Sequence, residues 1–498
     1  MSKANSIKLA LVGFIISTPV ISQEYFVSDR FVQTNVFSYA FDIDSLQNIQ
    51  IACEEQEEFA FSPITYSVLD TNLDTLSQGL NVSSSGTNKF PAISVGPEGT
   101  AIFWTWRVLG DASGQAGVVI HDYQTAPDQT TDYTSALHSS APALLSLNDS
   151  TWVHAWSRRL TPISDPVHDG VAVGRVLDIE GNAGDYQLIQ NPEEHMATGR
   201  TAIATNSAES PIVLSWNDGV TEDMELYFSF IYEQGSPPSE PVRVRQDTLT
   251  RYILDHDVTV LESGEFIITW VEYPDDSESE LYYQLFTQEG EHLGEPVRLD
   301  APGVLTYNPR ISSNIQDIAV VVWNEFENGT AGIFAQRIDA AGEKNGGVFR
   351  VTEDRDVQFR LHPMVELDGD RMVTMWLENF NDLWCNVIDI NNPPVSTVHG
   401  KKSLEPSSLG LIKAYPSPFN GEVNLEFSLK EASNIVFSVY DLRGRKVLIN
   451  NYDCFASGSH VIRWDGKDQH MHNLPSGVYV LEVKADHEVR SCMVVLIR

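Results

Sequence analysis

Between residues 23 and 400 the chain contains only two lysines, Lys89 and Lys344. Arginine does little to offset this: the stretch carries 18 Lys+Arg against 58 Asp+Glu, a net of −40 (18 − 58). A field of that sign repels phosphate backbones and anionic lipid, so nucleic acid is excluded as a partner. Cysteine is scarce, at Cys53, Cys385, Cys454 and Cys492, and no two stand in CxxC spacing, which argues against a structural zinc site. After residue 22 no apolar run nears the roughly 20 residues that a membrane-spanning helix needs, so no transmembrane segment is expected. HExxH, GxSxG and Walker-type loops are missing too, and with them three common catalytic or nucleotide-binding readings.

The N-terminus does hold an apolar run. Lys3 and Lys8 flank the start of LALVGFIIS (9–17), and Val20 and Ser22 suit a small-residue cleavage site before Gln23. This is the pattern of a secretory signal peptide over residues 1–22. The expected product is secreted, extracellular or attached to the outer cell surface. In an oxidising compartment four cysteines allow three pairings. Cys454 and Cys492 both fall within 411–498 and are the expected bridge.

Six tryptophans, Trp106, Trp156, Trp216, Trp270, Trp323 and Trp376, are spaced by 50, 60, 54, 53 and 53 residues. A fixed period near 50 is the mark of a repeat architecture. Each unit opens with an apolar or proline-bearing strand (FPAISV, APALLSL, NPRISS, HPMVEL) and turns tightly at GPEG, LNDS, ESG or LDGD. A second strand then ends at the tryptophan. A third strand and a short fourth follow, as in LYYQLFTQEG and EPVRLDA. Four antiparallel strands per repeat describe a β-propeller blade. The tryptophans share their strand faces with Ile268, Phe266 and Val321, and the opposite faces are apolar too, so they read as packing between blades. Stepping back 53 residues from Trp106 reaches Cys53, which makes the count seven. EYFVSDRFVQTN (24–35) resembles VFRVTEDRDVQF (348–359), so the N-terminal strand is expected to complete blade seven. The expected fold is all-β, a seven-bladed β-propeller over residues 23–395 followed by a small immunoglobulin-like sandwich.

Residues 396–410 have linker composition, and 411–498 are electrically neutral, with 10 Lys+Arg and 10 Asp+Glu. Six short strands follow, from VNLEFSL to CMVVLIR. Pro416 and Pro418 set an extended entry for Phe419, Asp441 to Gly444 forms a turn, Trp464 supplies core, and Asp465-Gly466 starts another turn. AYPSPFNGEVNLEFSL, VYDLRGRKV, SGSHVIRWDGKD and PSGVYVLEV, the last with Gly477 and Tyr479, occur in order. The segment resembles the C-terminal sorting domain of type IX secretion cargo, itself similar to the immunoglobulin-like domain of flagellar hook-capping proteins. The resemblance implies outer-membrane secretion machinery as a partner, and passage to the cell surface.

In the propeller one position recurs with charge. Just after the tryptophan stand Asp218, Glu272, Glu325 and Glu378, whereas blades two and three carry Arg107 and Arg158. One reading is an acidic rim with a basic sector, able to hold a cation such as calcium or an extracellular glycan or protein. The other is a solvated loop surface on an acidic protein. No cofactor follows from spacing. Two functions stay open: a non-enzymatic binding or adhesion module, or an extracellular polysaccharide hydrolase or lyase with carboxylates such as Glu272 and Glu325 as acid and base. Acids recurring at equivalent blade positions favour the first, because catalysis needs one asymmetric cluster.

Overall fold

A computed structural model of the chain describes residues 24–26, 35–394, 409 and 413–496. It is interrupted chiefly at 57–61, 84–86, 108–112, 122–130, 160–169, 179–182, 191–196, 207–211, 233–237, 247–250, 275–278, 354–359 and 442–445. The expected signal peptide and all of the expected linker except Leu409 lie outside the described residues. Every element among them is a β-strand.

From Asn35 to Asp389 the strands follow one another mostly in antiparallel sets of four; the third set gains the two-residue strand His138–Ser139, and a parallel bridge between Met224 and Tyr252 joins the fourth set to the fifth. Arg251–Val260, Phe266–Pro274, Glu280–Phe286 and His292–Arg298 make one set, and Leu305–Ser313, Ala319–Glu327, Thr330–Ile338 and Lys344–Arg350 the next. The first strand of nearly every set carries a bulge near its start, between Val36 and Ser38, Lys89 and Ala92, Ala197 and Thr201, Ile253 and Asp255, Tyr307 and Arg310, and Leu361 and Met364. At three of them the residue before a proline takes a positive φ: Phe90 (55°), Asn308 (51°) and His362 (51°). Bulges bend a strand and re-aim its side chains.

The tryptophans explain the packing. Trp216, Trp270, Trp323 and Trp376 are wholly buried. Each lies opposite an aromatic residue on the third strand, and three of these in turn lie opposite an arginine on the fourth. The rows are Trp216–Tyr227–Arg243, Trp270–Tyr282–Arg298 and Trp323–Phe334–Arg350. Ring centroids in the first pairs are 6.3, 5.9 and 6.5 Å apart. In the second set Trp104 takes the fully buried place and Trp106 is only half-buried. Cys53, buried opposite Tyr39, occupies the matching position in the first set.

Adjacent sets are also joined by a repeated polar bond. A side-chain oxygen on one first strand accepts the backbone N–H of the next: Asp42 from Val95 (2.7 Å), Ser94 from Ser146 (2.8 Å), Asp257 from Ile311 (3.2 Å) and Ser312 from Leu367 (3.1 Å). The first set meets the last as well. Tyr39 Oη donates to the His362 carbonyl (2.6 Å), Gln47 Nε2 to Asp368 (2.6 Å), and Arg371 to the Gln47 carbonyl (3.1 Å). The last set has three strands of its own, Arg360–Asp368, Arg371–Glu378 and Asp382–Asp389. Its fourth is Glu24–Phe26, with Tyr25 opposite Cys385.

The C-terminal segment is two facing sheets. Lys413–Tyr415, Val423–Leu429 and Gly458–Trp464 form one; Lys446–Phe455, Ser433–Asp441, Gly477–Ala485 and Glu488–Leu496 form the other. They enclose a separate core that includes Phe427, Phe437, Trp464 and Leu481.

Because Glu24–Phe26 pairs with Asp382–Asp389, removal of residues 23–32 leaves that strand's edge open. A calorimetric melting temperature lower by many degrees is expected; a shift of one or two degrees contradicts it.

Candidate functional site

The acids that follow the tryptophans are held by the fold. The indole N–H of Trp270 donates to Glu272 (2.9 Å), that of Trp323 to Glu325 (2.9 Å) and that of Trp376 to Glu378 (3.2 Å). Glu272 and Glu378 are only 1% and 3% exposed, which takes them off the open rim the sequence suggested. Arg245 lies 3.5 Å from Glu272 and over the ring of Tyr282, while the fully buried Arg360 lies 3.1 Å from Glu378. A buried donor left unpaired costs about 1–3 kcal/mol, which is the physical reason for an acceptor two residues beyond each indole. The side chains of Arg107, Arg158 and Asp218 lie outside the described residues. The strands place their backbones at the ends of Gly99–Arg107, Thr151–Arg159 and Ile212–Val220.

A different set of carboxylates, which the repeat period did not single out, lies on the bulged first strands. Asp255 accepts from Asn308 Nδ2 (2.9 Å) and Arg310 Nη1 (3.2 Å), and Arg200 stands 3.6 Å from Asp257. Burial raises the Asp42 and Asp255 carboxyls to about 6, with Arg200 and the Asn308 amide opposing it at Asp255. Asp257 and Glu366 are raised for the same reason, Glu366 further by the charges of Asp42 and Asp257. His256, buried against Asn217 (2.9 Å), is pushed down to about 3 and is neutral. Groups with such shifts are what functional sites use, though structural networks produce them too.

The opposite, hairpin-turn end holds a concavity. A cleft of about 520 Å³ opens between the first two sets, lined by Ile43, Asp44, Gln50, Glu98, Thr100 and His121 among others. Its size is that of small-molecule sites. Gln50 is fixed by Tyr66 Oη (2.7 Å), Thr100 Oγ1 (2.5 Å) and Asp44 (3.1 Å), and the exposed His121 ring lies 3.4 Å from the Glu98 carbonyl. No cluster of three or more metal-ligating side chains occurs among the described residues.

In the C-terminal segment the motif residues form the core. Phe419 and Trp464 ring centroids are 5.5 Å apart and Trp464 and Tyr479 5.3 Å. The Trp464 indole donates to the Lys467 carbonyl (2.9 Å), and Tyr479 Oη to that of Pro475 (2.8 Å). Gly466 has φ +68°, a turn conformation that glycine adopts without strain. Asp465 holds Lys467 at 2.6 Å, Gly477 opens its strand, and Pro416 is exposed. Asp441 ends its strand, and Gly444 and Pro418 lie outside the described residues. The family model described as "Secretion system C-terminal sorting domain" matches residues 413–496. Residues 413–496 are a secretion sorting domain. The protein is therefore exported, to be attached to the cell surface or secreted.

The expected Cys454–Cys492 bridge is not formed: Cys492 is a free thiol. The two residues belong to Lys446–Phe455 and Glu488–Leu496, the outer strands of one sheet with two strands between them. Strands about 4.8 Å apart put these positions near 14 Å, beyond disulfide reach. Cys53 and Cys385 are buried free thiols.

Several solved structures resemble the chain at low scores. A protein of unknown function from Dyadobacter fermentans has TM-score 0.43 at 10% identity, covering 60% of this chain and 94% of that one. A Penicillium chrysogenum α-L-arabinanase complexed with arabinobiose has 0.43 at 10%, covering 75% and 100%. An α-L-arabinofuranosidase from Fusarium graminearum has 0.41 at 12%, covering 74% and 98%. No curated protein matches.

The raised carboxyls set a pH dependence. For Asp42 and Asp255 the folded pKa of about 6 lies above the unfolded value near 4, so the folded chain keeps protons that the unfolded chain loses between about pH 4 and 6, and the raised Asp257 and Glu366 act in the same direction. Stability from this source is present below that window and lost as pH rises through it. Glu366→Gln, which retains an acceptor for Ser312, should raise the melting temperature at pH 8 by a few degrees and change it little at pH 4. A lower melting temperature at pH 8 contradicts the assignment.

Proposed function

We propose that residues 23–395 form a closed seven-bladed propeller that works outside the cell as a non-enzymatic binding module, delivered by the sorting domain. The observation that carries this reading is the commitment of the recurring acids: Glu272, Glu325 and Glu378 serve buried indoles, so the pair assigned to acid–base chemistry is engaged in packing. Closure is supported by the hydrogen bonds from Tyr39, Gln47 and Arg371 across the first and last sets, and by the N-terminal strand beside Asp382–Asp389.

The ligand site is the cleft between the first two blades. Its apolar floor of Ile43, Val95 and Ile120 lies beside Glu98, Thr100 and His121. Apolar floor with flanking acceptors and donors suits a hydroxyl-rich glycan, whose C–H face and hydroxyls need both. Binding of the exported chain to an array of extracellular polysaccharides, without release of shortened products, is the expected result. His121→Ala and Glu98→Ala should weaken binding at least tenfold and leave melting unchanged. Product release abolished by Asp255→Asn would instead establish the hydrolase or lyase reading, in which the carboxyl raised to about 6 would act as the acid.

A further inference from the structure

The sorting domain has two sheets, and one of them is already covered along Gly477–Ala485 and Glu488–Leu496, while Ile449 on its edge strand stays 38% exposed. Along Gly477–Ala485 and Glu488–Leu496 the residues alternate between two destinations. Tyr479, Leu481, Val494 and Leu496 enter the domain's own core. Val478, Val480, Met493 and Val495 point the other way, and in an isolated sandwich they would meet water. Here they are 5%, 0%, 5% and 0% exposed and belong to one buried cluster with propeller side chains such as Tyr252, Tyr307 and Phe326. Val478 lies opposite Val495 and Val480 opposite Met493, so the four make one continuous apolar patch, with Tyr440 packed beside it.

A sorting signal must be read by a protein of the export machinery, and a covered face cannot be read. The other sheet faces outward with the pattern of an interaction surface. Opposed positions run Tyr415–Asn424–Arg463 across its three strands, and Glu426 stands opposite Val461. Tyr415 and Val461 are 40% and 49% exposed, large apolar side chains among polar neighbours. Arg463 has 71% of its side chain exposed, and its 3.4 Å pairing with the exposed Glu422 is of the kind that holds weakly in water. Tyrosine and arginine are the residue types that most often dominate protein–protein binding. The motif residues Phe419, Trp464 and Tyr479 are buried behind this sheet, so they shape it without touching a partner.

We propose that the outer face of the sheet Lys413–Tyr415, Val423–Leu429 and Gly458–Trp464 is the surface by which the outer-membrane secretion machinery recognises this chain, with Tyr415, Val461 and Arg463 as its contacts. The second sheet stays docked on the propeller. The test is export of the full-length chain carrying Tyr415→Ala, Val461→Asp or Arg463→Glu, measured as surface-accessible protein, with melting of each purified chain beside it. At least a tenfold loss of surface protein with wild-type melting is expected. Wild-type export by all three variants overturns the proposal. A loss that accompanies a lowered melting temperature also counts against it, because the proposal assigns these exposed groups no part in the fold. Small-angle scattering of the unsubstituted chain checks the covering: one compact body is expected, and a tail moving freely on its linker overturns it.

Discussion

A buried indole carries one N–H that water cannot reach, and this protein meets that constraint repeatedly in the same way. In three sets in a row the second strand carries a wholly buried tryptophan, and the glutamate two residues further along the same strand accepts the hydrogen bond of its indole N–H. Residues two apart on a strand share a face, so the acceptor costs no change in backbone. The aromatic residue opposite each tryptophan extends the row, which reaches an arginine on the fourth strand beyond Trp270 and Trp323 and Phe26 beyond Trp376. Neighbouring sets then stack against these rows.

Between the sets, polar bonds fix what apolar stacking leaves loose. Hydrophobic burial is non-directional, whereas an Asp or Ser oxygen that accepts the next first strand's amide sets the register of one set on another. The price of this arrangement is carboxylate in a confined place. Asp42, Asp255, Asp257 and Glu366 share the inner strands, where Arg200 and Arg310 offset part of their charge.

Much of the architecture was legible in the tryptophan period, in the turn residues between strands and in the likeness of 24–35 to 348–359. The sorting domain was legible because its motifs are core residues, whose types packing dictates. What the sequence misled on was exposure. Glu272 and Glu378 look like loop acids because they follow the last apolar residue of a strand, and only the direction of the indole N–H reveals that they belong to the core. Asp255 and Asp257 were hidden for the opposite reason: within RYILDHDVTV the alternation is broken by a bulge after Ile253, so the strand face of Asp255 cannot be counted from the pattern. Cys454 and Cys492 are close in sequence region but lie on opposite edges of one sheet, an ordering that strand count alone does not reveal.

The account rests on the acids after the tryptophans being packing groups. The most direct measurement is the unfolding free energy of Glu325→Leu and Glu325→Gln beside the unsubstituted chain. Loss of the acceptor in Glu325→Leu should cost about 1–3 kcal/mol, while Glu325→Gln, which keeps a carbonyl for the Trp323 indole, should lie much nearer the original. A Glu325→Leu chain as stable as the original would contradict the account and return that carboxylate to the list of groups free to bind a ligand.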